Sequence, residues 1–215
     1  MRLLIVNPNT SLGVTRRIDA AAQAVAFNDD VFTTVPAAFG PELIVTDQDG
    51  VDAVDGVMVS VDAHVKNADG IVLASFGDTG TEAVRLAYPD IPVVGIASAA
   101  FASARCLGGK FSIVTFDEAL APALHTRALF YGLGDQLLSV KGVSDRTAYD
   151  AAEVQDERFE AINALCIACA EDAISSIILG GGPLAGLASR VATSVGVPVI
   201  DGTQAAIGIL RGAIN

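Results

Sequence analysis

The chain has 215 residues and a formal net charge of −12, with 13 basic residues, so it lacks the clustered Lys and Arg of a nucleic-acid surface. This length fits one large α/β domain or two small lobes, and 52% hydrophobic residues indicate a well-buried core. No apolar run approaches the ~20 residues that span a bilayer, and the chain start turns polar too soon for a signal peptide, so we expect a cytoplasmic protein with reduced cysteines and no membrane partner.

Short apolar runs and Ala-rich stretches alternate along the chain. The runs predict β-strands at about 3–7, 31–36, 71–75, 92–96, 111–116, 137–142, 176–180 and 198–201. They are rich in Val, Ile and Leu and mostly lack alternation, which is typical of strands buried on both faces. Helices are predicted at 14–26, 52–67, 81–88, 117–131, 155–173 and 184–195, and an irregular excursion begins at 38. Strand–helix alternation predicts parallel sheets with right-handed crossovers.

The second half of the chain repeats the first at an offset of 106 residues. The segment Ile71–Gly80 is echoed by Ile177–Gly186, which places Ser75 and Gly181 at equivalent positions. A repeat of about half the chain predicts two similar lobes that face each other across a cleft. Ser75 and Gly181 would then approach one ligand from opposite sides.

The fold class that follows is α/β, with two pseudo-symmetric lobes that are each a four-stranded parallel sheet flanked by helices. We predict an N-terminal lobe at 1–100 and a C-terminal lobe at 101–202, with a C-terminal helix at 203–215 packing back on the first lobe. Each sheet should have the strand order 2-1-3-4, and ligands of such sheets bind beyond the carboxyl ends of the strands where the order reverses. The loops that should converge there are Asn7–Thr10, Ser75–Gly80, Thr115–Glu118 and Gly180–Pro183.

Two kinds of loop residue in this predicted cleft suit an anion. Asn9 or Thr10 can cap the first helix, whose free backbone N–H groups attract negative charge. Gly77 and the glycines at 180–182 let the backbone approach a ligand closely, so that their N–H groups could cradle a carboxylate or an oxyanion.

Four ordered motifs resemble the aspartate/glutamate racemase superfamily, and within it the hydantoin and allantoin racemases. They are Asn7-Pro-Asn-Thr-Ser11, Ala74-Ser-Phe-Gly-Asp78, Ile178-Leu-Gly-Gly-Gly182 and Pro198-Val-Ile-Asp-Gly202. The resemblance covers nearly the whole chain. It implies two flavodoxin-like lobes, a cleft between them and no cofactor.

This chain differs from the pattern of the resembled family at two positions. The family moves an α-proton with two cysteines, in the patterns Ala-Cys-Phe-Gly-Asp and Leu-Gly-Cys, whereas this chain has Ser75 and Gly181 there. A serine hydroxyl needs a neighbouring base and glycine has no side chain, so a symmetric two-base reaction through these positions is excluded. Gly181 is expected to leave room that a cysteine would fill. The actual cysteines, Cys106, Cys166 and Cys169, fall in predicted helices and are interpreted as small packing residues.

The site expected from the motifs therefore has Ser75 and the Gly181 position at its chemical centre. The substrate-binding candidates, several of them implied by the resemblance, are Asn9, Thr10, Gly77, Asp78, Thr79, Thr115, Gly180 and Gly182. Thr79 could also cap the helix that follows it. No His, Cys and carboxylate grouping has metal-ligand spacing, so no metal is predicted. The expected partner is a small carboxylate or cyclic amide, and we expect a homo-oligomer.

Three uses of such a cleft stay open. The chain could be an isomerase that uses another base, such as Asp78, Asp117 or Glu118. It could be a decarboxylase, another lyase or a hydrolase that relies on Ser75 and backbone-amide oxyanion stabilisation. It could also bind a small acid without turnover. A Ser-His-acid arrangement would need His64 or His125, and a donor role for Ser75 is the preferred interpretation.

Overall fold

The computed structural model describes residues 1–145 and 147–214. A first parallel sheet contains β1 (Arg2–Asn7), β2 (Val31–Pro36), β3 (Gly70–Leu73) and β4 (Val93–Gly95), in the order β2-β1-β3-β4. The central strand β3 is buried along its whole length because helices cover both faces of the sheet.

A second parallel sheet repeats this design. It contains β5 (Phe111–Thr115), β6 (Leu137–Gly142), β7 (Ser176–Leu179) and β8 (Val199–Asp201), in the order β6-β5-β7-β8. The predicted fold class and strand order are confirmed. The central strands β5 and β7 are fully buried, as unalternating Val and Ile runs indicate.

Nine helices flank the sheets in the described ranges. They are α1 (Leu12–Gln23), α2 (Asp47–His64), α3 (Thr81–Ala87), α4 (Ile96–Leu107), α5 (Ala121–Phe130), α6 (Val154–Glu157), α7 (Phe159–Ala170), α8 (Ala188–Val191) and α9 (Gly202–Ala213). Short 3-10 turns at Glu118–Leu120 and Gly182–Leu184 lead into the segments after β5 and β7.

Three helices differ from the sequence prediction for local reasons. Helix α2 begins before 52 because Thr46 and Asp49 form a capping box at its start. The predicted helix 155–173 is broken at Arg158, whose side chain turns inward and donates to the Phe116 carbonyl oxygen at 2.8 Å. The predicted helix 184–195 is reduced to the four residues of α8, after a turn in which Gly186 has a φ of +88°.

The two sheets share part of one core through α4. Phe101 of α4 is 1% exposed and packs edge-on against Phe111 of β5, with ring centroids 6.0 Å apart. Helix α9 packs against α4, α1, β3 and β4, while α4 also contacts β7 and β8. The lobe boundaries drawn from the sequence stay a prediction. Within the described ranges, every helix is too short or too polar to cross a membrane.

Candidate active site

A cavity of about 600 Å³ lies beyond the carboxyl ends of the central strands of both sheets. All four predicted loops contribute to its wall. Two further parts of the chain complete it: the stretch 43–47 that leads into α2, and the cavity-facing residues of α5 and the 3-10 turn before it. A site built where strand order reverses in two facing sheets is the location expected for a ligand of this fold.

Six of the predicted site residues line this cavity: Asn9, Ser75, Gly77, Gly180, Gly181 and Gly182. Four others lie behind its wall: Thr10, Asp78, Thr79 and Thr115. Thr115 is fully buried and donates from Oγ1 to the Gly180 carbonyl oxygen at 2.7 Å. Thr10 bonds through its backbone N–H to the Pro41 carbonyl oxygen at 3.0 Å. These two residues position the loops on either side of the cavity.

The Ser75 hydroxyl is held by two neighbours in its own loop. Its Oγ lies 3.1 Å from Thr79 Oγ1 and accepts the Gly77 N–H at 3.2 Å. The prediction that Thr79 caps the next helix is wrong: Gly80 is the N-cap of α3, and the Thr79 side chain bonds to Ser75 instead. One of the two hydroxyl hydrogens of this pair is used between them, and the other is free to be donated.

No histidine supports Ser75 as a nucleophile within the described ranges. His64 Nδ1 is 2.9 Å from the Ser60 carbonyl oxygen on α2. His125 lies in a shallow surface depression with Glu118, away from the cavity wall. A Ser-His-acid arrangement is therefore not assembled here.

The loop after β1 is fixed by a side-chain network. Asn9 Oδ1 accepts from Asn7 Nδ2 at 2.8 Å and from the Ser11 N–H at 3.0 Å. Ser11, not Asn9 or Thr10, caps α1 by accepting the Val14 N–H. The expected cap was thus misplaced by one or two residues, and Asn9 instead serves to hold the loop against the cavity.

Gly181 has a backbone that disfavours a side chain. Its φ is +144°, and a Cβ built there would lie 2.7 Å from Cε1 of Phe116. The prediction of free space beside Gly181 is therefore wrong, because the Phe116 ring occupies that space. Phe116 is itself held from behind, since its carbonyl oxygen accepts a hydrogen bond from the buried Arg158.

The glycine loop at the cavity wall contains backbone donors without a backbone acceptor. The Gly180 N–H bonds to the Val114 carbonyl oxygen at 2.9 Å, whereas the N–H groups of Gly181 and Gly182 have no backbone acceptor in the described ranges. Gly181 precedes the 3-10 turn and Gly182 begins it. N–H groups at the start of such a turn have no partner within the turn. Paired free amides at a cavity wall can stabilise an oxyanion.

Asp78 is buried behind the Ser75 loop and joins three elements. Its carboxylate accepts from the Tyr131 hydroxyl, which follows α5, and from the Ala97 N–H at 3.1 Å. It thereby caps α4, whose own N-cap residue, Gly95, has no side chain. Burial raises the pKa of Asp78 above its ordinary value, against the lowering effect of the Tyr131 hydrogen bond.

Asp117, also considered as a base, and Asp201 of the fourth motif are engaged outside the cavity wall. Asp117 caps the 3-10 turn before α5 and accepts from the Tyr149 hydroxyl at 3.0 Å. Asp201 accepts the N–H groups of Gly186 and Gln204, and burial raises its pKa. These geometries favour structural roles for both carboxylates.

The charged and aromatic side chains of the cavity wall that sequence reasoning missed include Asp47 at the start of α2 and Arg127 and Phe130 on α5. The capping pattern at Thr46 could have shown that a helix begins at Asp47. Nothing in the periodicity of α5 distinguishes the cavity-facing Arg127 from a solvent-facing one.

In the ranges 1–145 and 147–214, no three His, Cys, Asp or Glu side chains are grouped to hold a metal ion. The expected packing role fits Cys166 and Cys169, which are fully buried, while Cys106 is exposed on α4.

Comparison with known proteins gives a consistent family. The model of Asp/Glu/hydantoin racemases matches residues 3–210. The hydantoin racemase of Paenarthrobacter aurescens is 32% identical over 212 residues, which cover 96% of this chain and 88% of that protein. The hydantoin racemase of Pseudomonas sp. (strain NS671) is 31% identical over 212 residues, with 96% and 83% covered. The structure of allantoin racemase from Klebsiella pneumoniae superposes with a TM-score of 0.90 at 32% identity, over all of this chain and 87% of that one. The two facing sheets, the cavity between them and these similarities together show that the chain belongs to the Asp/Glu/hydantoin racemase family.

Proposed function

We propose that this protein is a cofactor-independent enzyme that acts at the carbon next to a carbonyl of a small carboxylate or cyclic amide. The observation that carries the proposal is the pair of free N–H groups at Gly181 and Gly182, which share one cavity with the Ser75 hydroxyl. Breaking the C–H bond beside a carbonyl moves its electron pair onto the carbonyl oxygen. Amides fixed around that oxygen stabilise the enolate before the carbon is protonated again.

The relatives named as hydantoin and allantoin racemases suggest a five-membered ring with amide carbonyls as substrate. A two-thiol mechanism does not fit this chain, because Ser75 and Gly181 carry no thiol and Phe116 covers the Gly181 side. Asp47 is the one carboxylate among the described residues that line the cavity, and it takes the proton in this proposal.

The test is α-hydrogen exchange in deuterium oxide. Purified protein should exchange the C5 hydrogen of a 5-substituted hydantoin or of allantoin and reduce the optical rotation of a single enantiomer, and Asp47→Asn should slow both by about 100-fold. Glu118→Gln, outside the cavity, is the matched control. Unchanged rotation and no deuterium uptake across hydantoins, allantoin and amino acids would contradict the proposal and favour a small-acid-binding protein without turnover.

A second candidate is decarboxylation. It is favoured because Gly181 has no side chain and the Phe116 ring lies beside it, so this side of the cavity offers no base. Loss of carbon dioxide from a malonate-type acid leaves the bonding electrons on the substrate as an enolate, so no base is required. One proton donor then completes the reaction. When Thr79 donates the hydrogen bond that joins it to Ser75, the Ser75 hydroxyl keeps a hydrogen that can be delivered from its side of the cavity, and water then returns a proton to Ser75. Carbon dioxide release from substituted malonates, with no exchange of hydantoin hydrogens, would select this reaction over the first.

A further inference from the structure

Arg127 brings an isolated positive charge to the cavity wall. It is the one basic residue among the described lining residues, and its guanidinium reaches the Ser75 loop. A Cβ on Gly77 would lie 3.8 Å from Arg127 Nη2, 3.5 Å from Ser75 Oγ and 3.3 Å from Thr79 Oγ1. Glycine at this position leaves free the space between the Arg127 guanidinium and the Ser75–Thr79 hydroxyl pair.

The charge of Arg127 has no ionic partner in the described part of the chain. No carboxylate oxygen lies within 4.0 Å of its nitrogens there, whereas seven other ion pairs form. Asp78 is near enough for Arg127 to lower its pKa, yet the Asp78 oxygens already accept from Tyr131 and Ala97. The guanidinium therefore keeps unused donors beside the cavity and forms no salt bridge among the described residues.

An aromatic ring lies beside Arg127 at the rim of the cavity. The Arg127 Cζ lies 5.6 Å from the ring centroid of Phe130, which also lines the cavity. This ring is 73% exposed, so the contact orients the guanidinium at the rim without burying it. The chain as a whole has a net charge of −12 and repels anions at long range, so an anionic ligand needs such a local positive charge.

We propose that Arg127 is the specificity-determining residue of this cavity and selects ligands that carry a carboxylate, with neutral amides of the same shape bound more weakly. The proposal deepens the proposed function by naming its substrate class: a small molecule with a carbonyl for the Gly181 and Gly182 amides and a carboxylate for Arg127. A planar guanidinium pairs with a carboxylate through two parallel hydrogen bonds, which gives selection by shape as well as charge.

Calorimetric titration tests the proposal with two matched ligand pairs. The first is succinate and succinamide, and the second is hydantoin-5-acetate and its primary amide. Wild-type protein should bind each carboxylate at least about tenfold more tightly than its amide, because a charge-assisted bond is lost in the amide. Arg127→Met should remove this difference, and Arg127→Lys should retain part of it. Arg16→Met is the control, since Arg16 is exposed on α1 outside the cavity.

Three outcomes would overturn the proposal. They are equal binding of acid and amide by the wild type, wild-type affinity for the acids in Arg127→Met, and no binding of either acid at millimolar concentration. Hydrogen exchange is measured separately on the same samples. If Arg127 selects carboxylates but no substrate hydrogen exchanges, this inference is supported and the proposed function is contradicted. If Arg127→Met exchanges the hydrogens of neutral rings rapidly, the proposed function is supported and this inference is contradicted.

Discussion

Gly181 and Phe116 together close one wall of the cavity. The backbone at Gly181 has a φ of +144°, which side-chain-bearing residues rarely adopt, and the Phe116 ring stands where a Cβ would project. The position at which the resemblance implies a thiol is thus blocked twice, by conformation and by packing. This geometry explains why the two halves of the repeat cannot act as chemical equivalents here.

Gly181→Ala should lower the free energy of unfolding by about 2 kcal/mol, because the new methyl group meets the Phe116 ring on a strained backbone. Urea denaturation measures the change. In the Phe116→Leu background, Gly181→Ala should lower the free energy of unfolding by less than it does in the wild type. A double-mutant cycle measures this difference. Gly208→Ala is the control, since Gly208 lies in α9 with open space around its Cα and should lose no stability. Equal effects at both glycines would refute this account of the wall.

Ser75→Ala should reduce kcat/KM for the substrate by about 100-fold, because a donor at the reacting end of the cavity is lost. The free energy of unfolding should change by about 1 kcal/mol or less, since only local bonds to Gly77 and Thr79 disappear. Ser189→Ala, exposed on α8, controls for loss of a hydroxyl. Wild-type turnover in Ser75→Ala would remove Ser75 from both candidate reactions.

Asp78 joins the Ser75 loop, the start of α4 and the end of α5. Its φ of +51° is one that Asp and Asn adopt more readily than most residues, so Asp78→Asn changes the charge with little change of backbone. Because burial raises the pKa of Asp78 in the folded protein, the folded state holds this proton more tightly than the unfolded state does. Stability conferred by the protonated carboxyl is therefore lost as pH rises from 3.8 through the folded pKa.

We expect Asp78→Asn to gain stability relative to the wild type as pH rises through that interval, and the difference to level off above it. Urea unfolding between about pH 3.5 and 7 measures it. Asp49→Asn should show the opposite trend, because hydrogen bonds from the Val45 and Thr46 N–H groups lower the pKa of Asp49. The same trend in both variants would show that burial does not govern the ionisation of Asp78.

The strands were predictable because their signal is strong and local. Unalternating Val and Ile runs located β3, β5 and β7 to within one residue at most positions. The helices after β5 and β7 were predicted less well, because each is preceded by a 3-10 turn: Glu118–Leu120 before α5, and Gly182–Leu184, which contains Pro183, before α8. The contribution of the stretch 43–47 to the cavity depends on packing between distant loops, which no periodicity reveals.

The cavity residues were likewise predictable where strand topology places them and not where helix packing does. Ser75 and the glycines at 180–182 follow strand ends, and topology alone brings them to one place. Arg127 lies on a helix surface, and which face meets the cavity is decided by how α5 packs on its sheet. Phe116 was within a predicted loop, yet its ring position beside Gly181 required the buried Arg158 behind it.

The two sheets are joined by helix packing as well as by the order of the chain. The chain builds the first sheet, continues into the second, and returns with α9 to pack on α1 and on the α4 that both sheets share. The termini meet there: Asp30 lies 3.3 Å from the N-terminal amine and 2.6 Å from Arg211 Nη2. The N-terminal sheet is therefore covered by a helix that follows all four strands of the second sheet along the chain, which favours one cooperative folding unit.

This arrangement predicts that Arg211→Met lowers the free energy of unfolding by about 2 kcal/mol, because the Asp30 side chain is only 6% exposed and would lose its guanidinium partner while keeping the N-terminal amine and the Phe27 N–H. The matched control is Arg2→Met, whose pair with Asp69 is largely exposed and should contribute at most about 1 kcal/mol. Far-ultraviolet circular dichroism and tyrosine absorbance should report one coincident urea transition in all three proteins, because α4 couples the sheets. Two separated transitions would instead show that the lobes unfold independently and that α9 stabilises only the first.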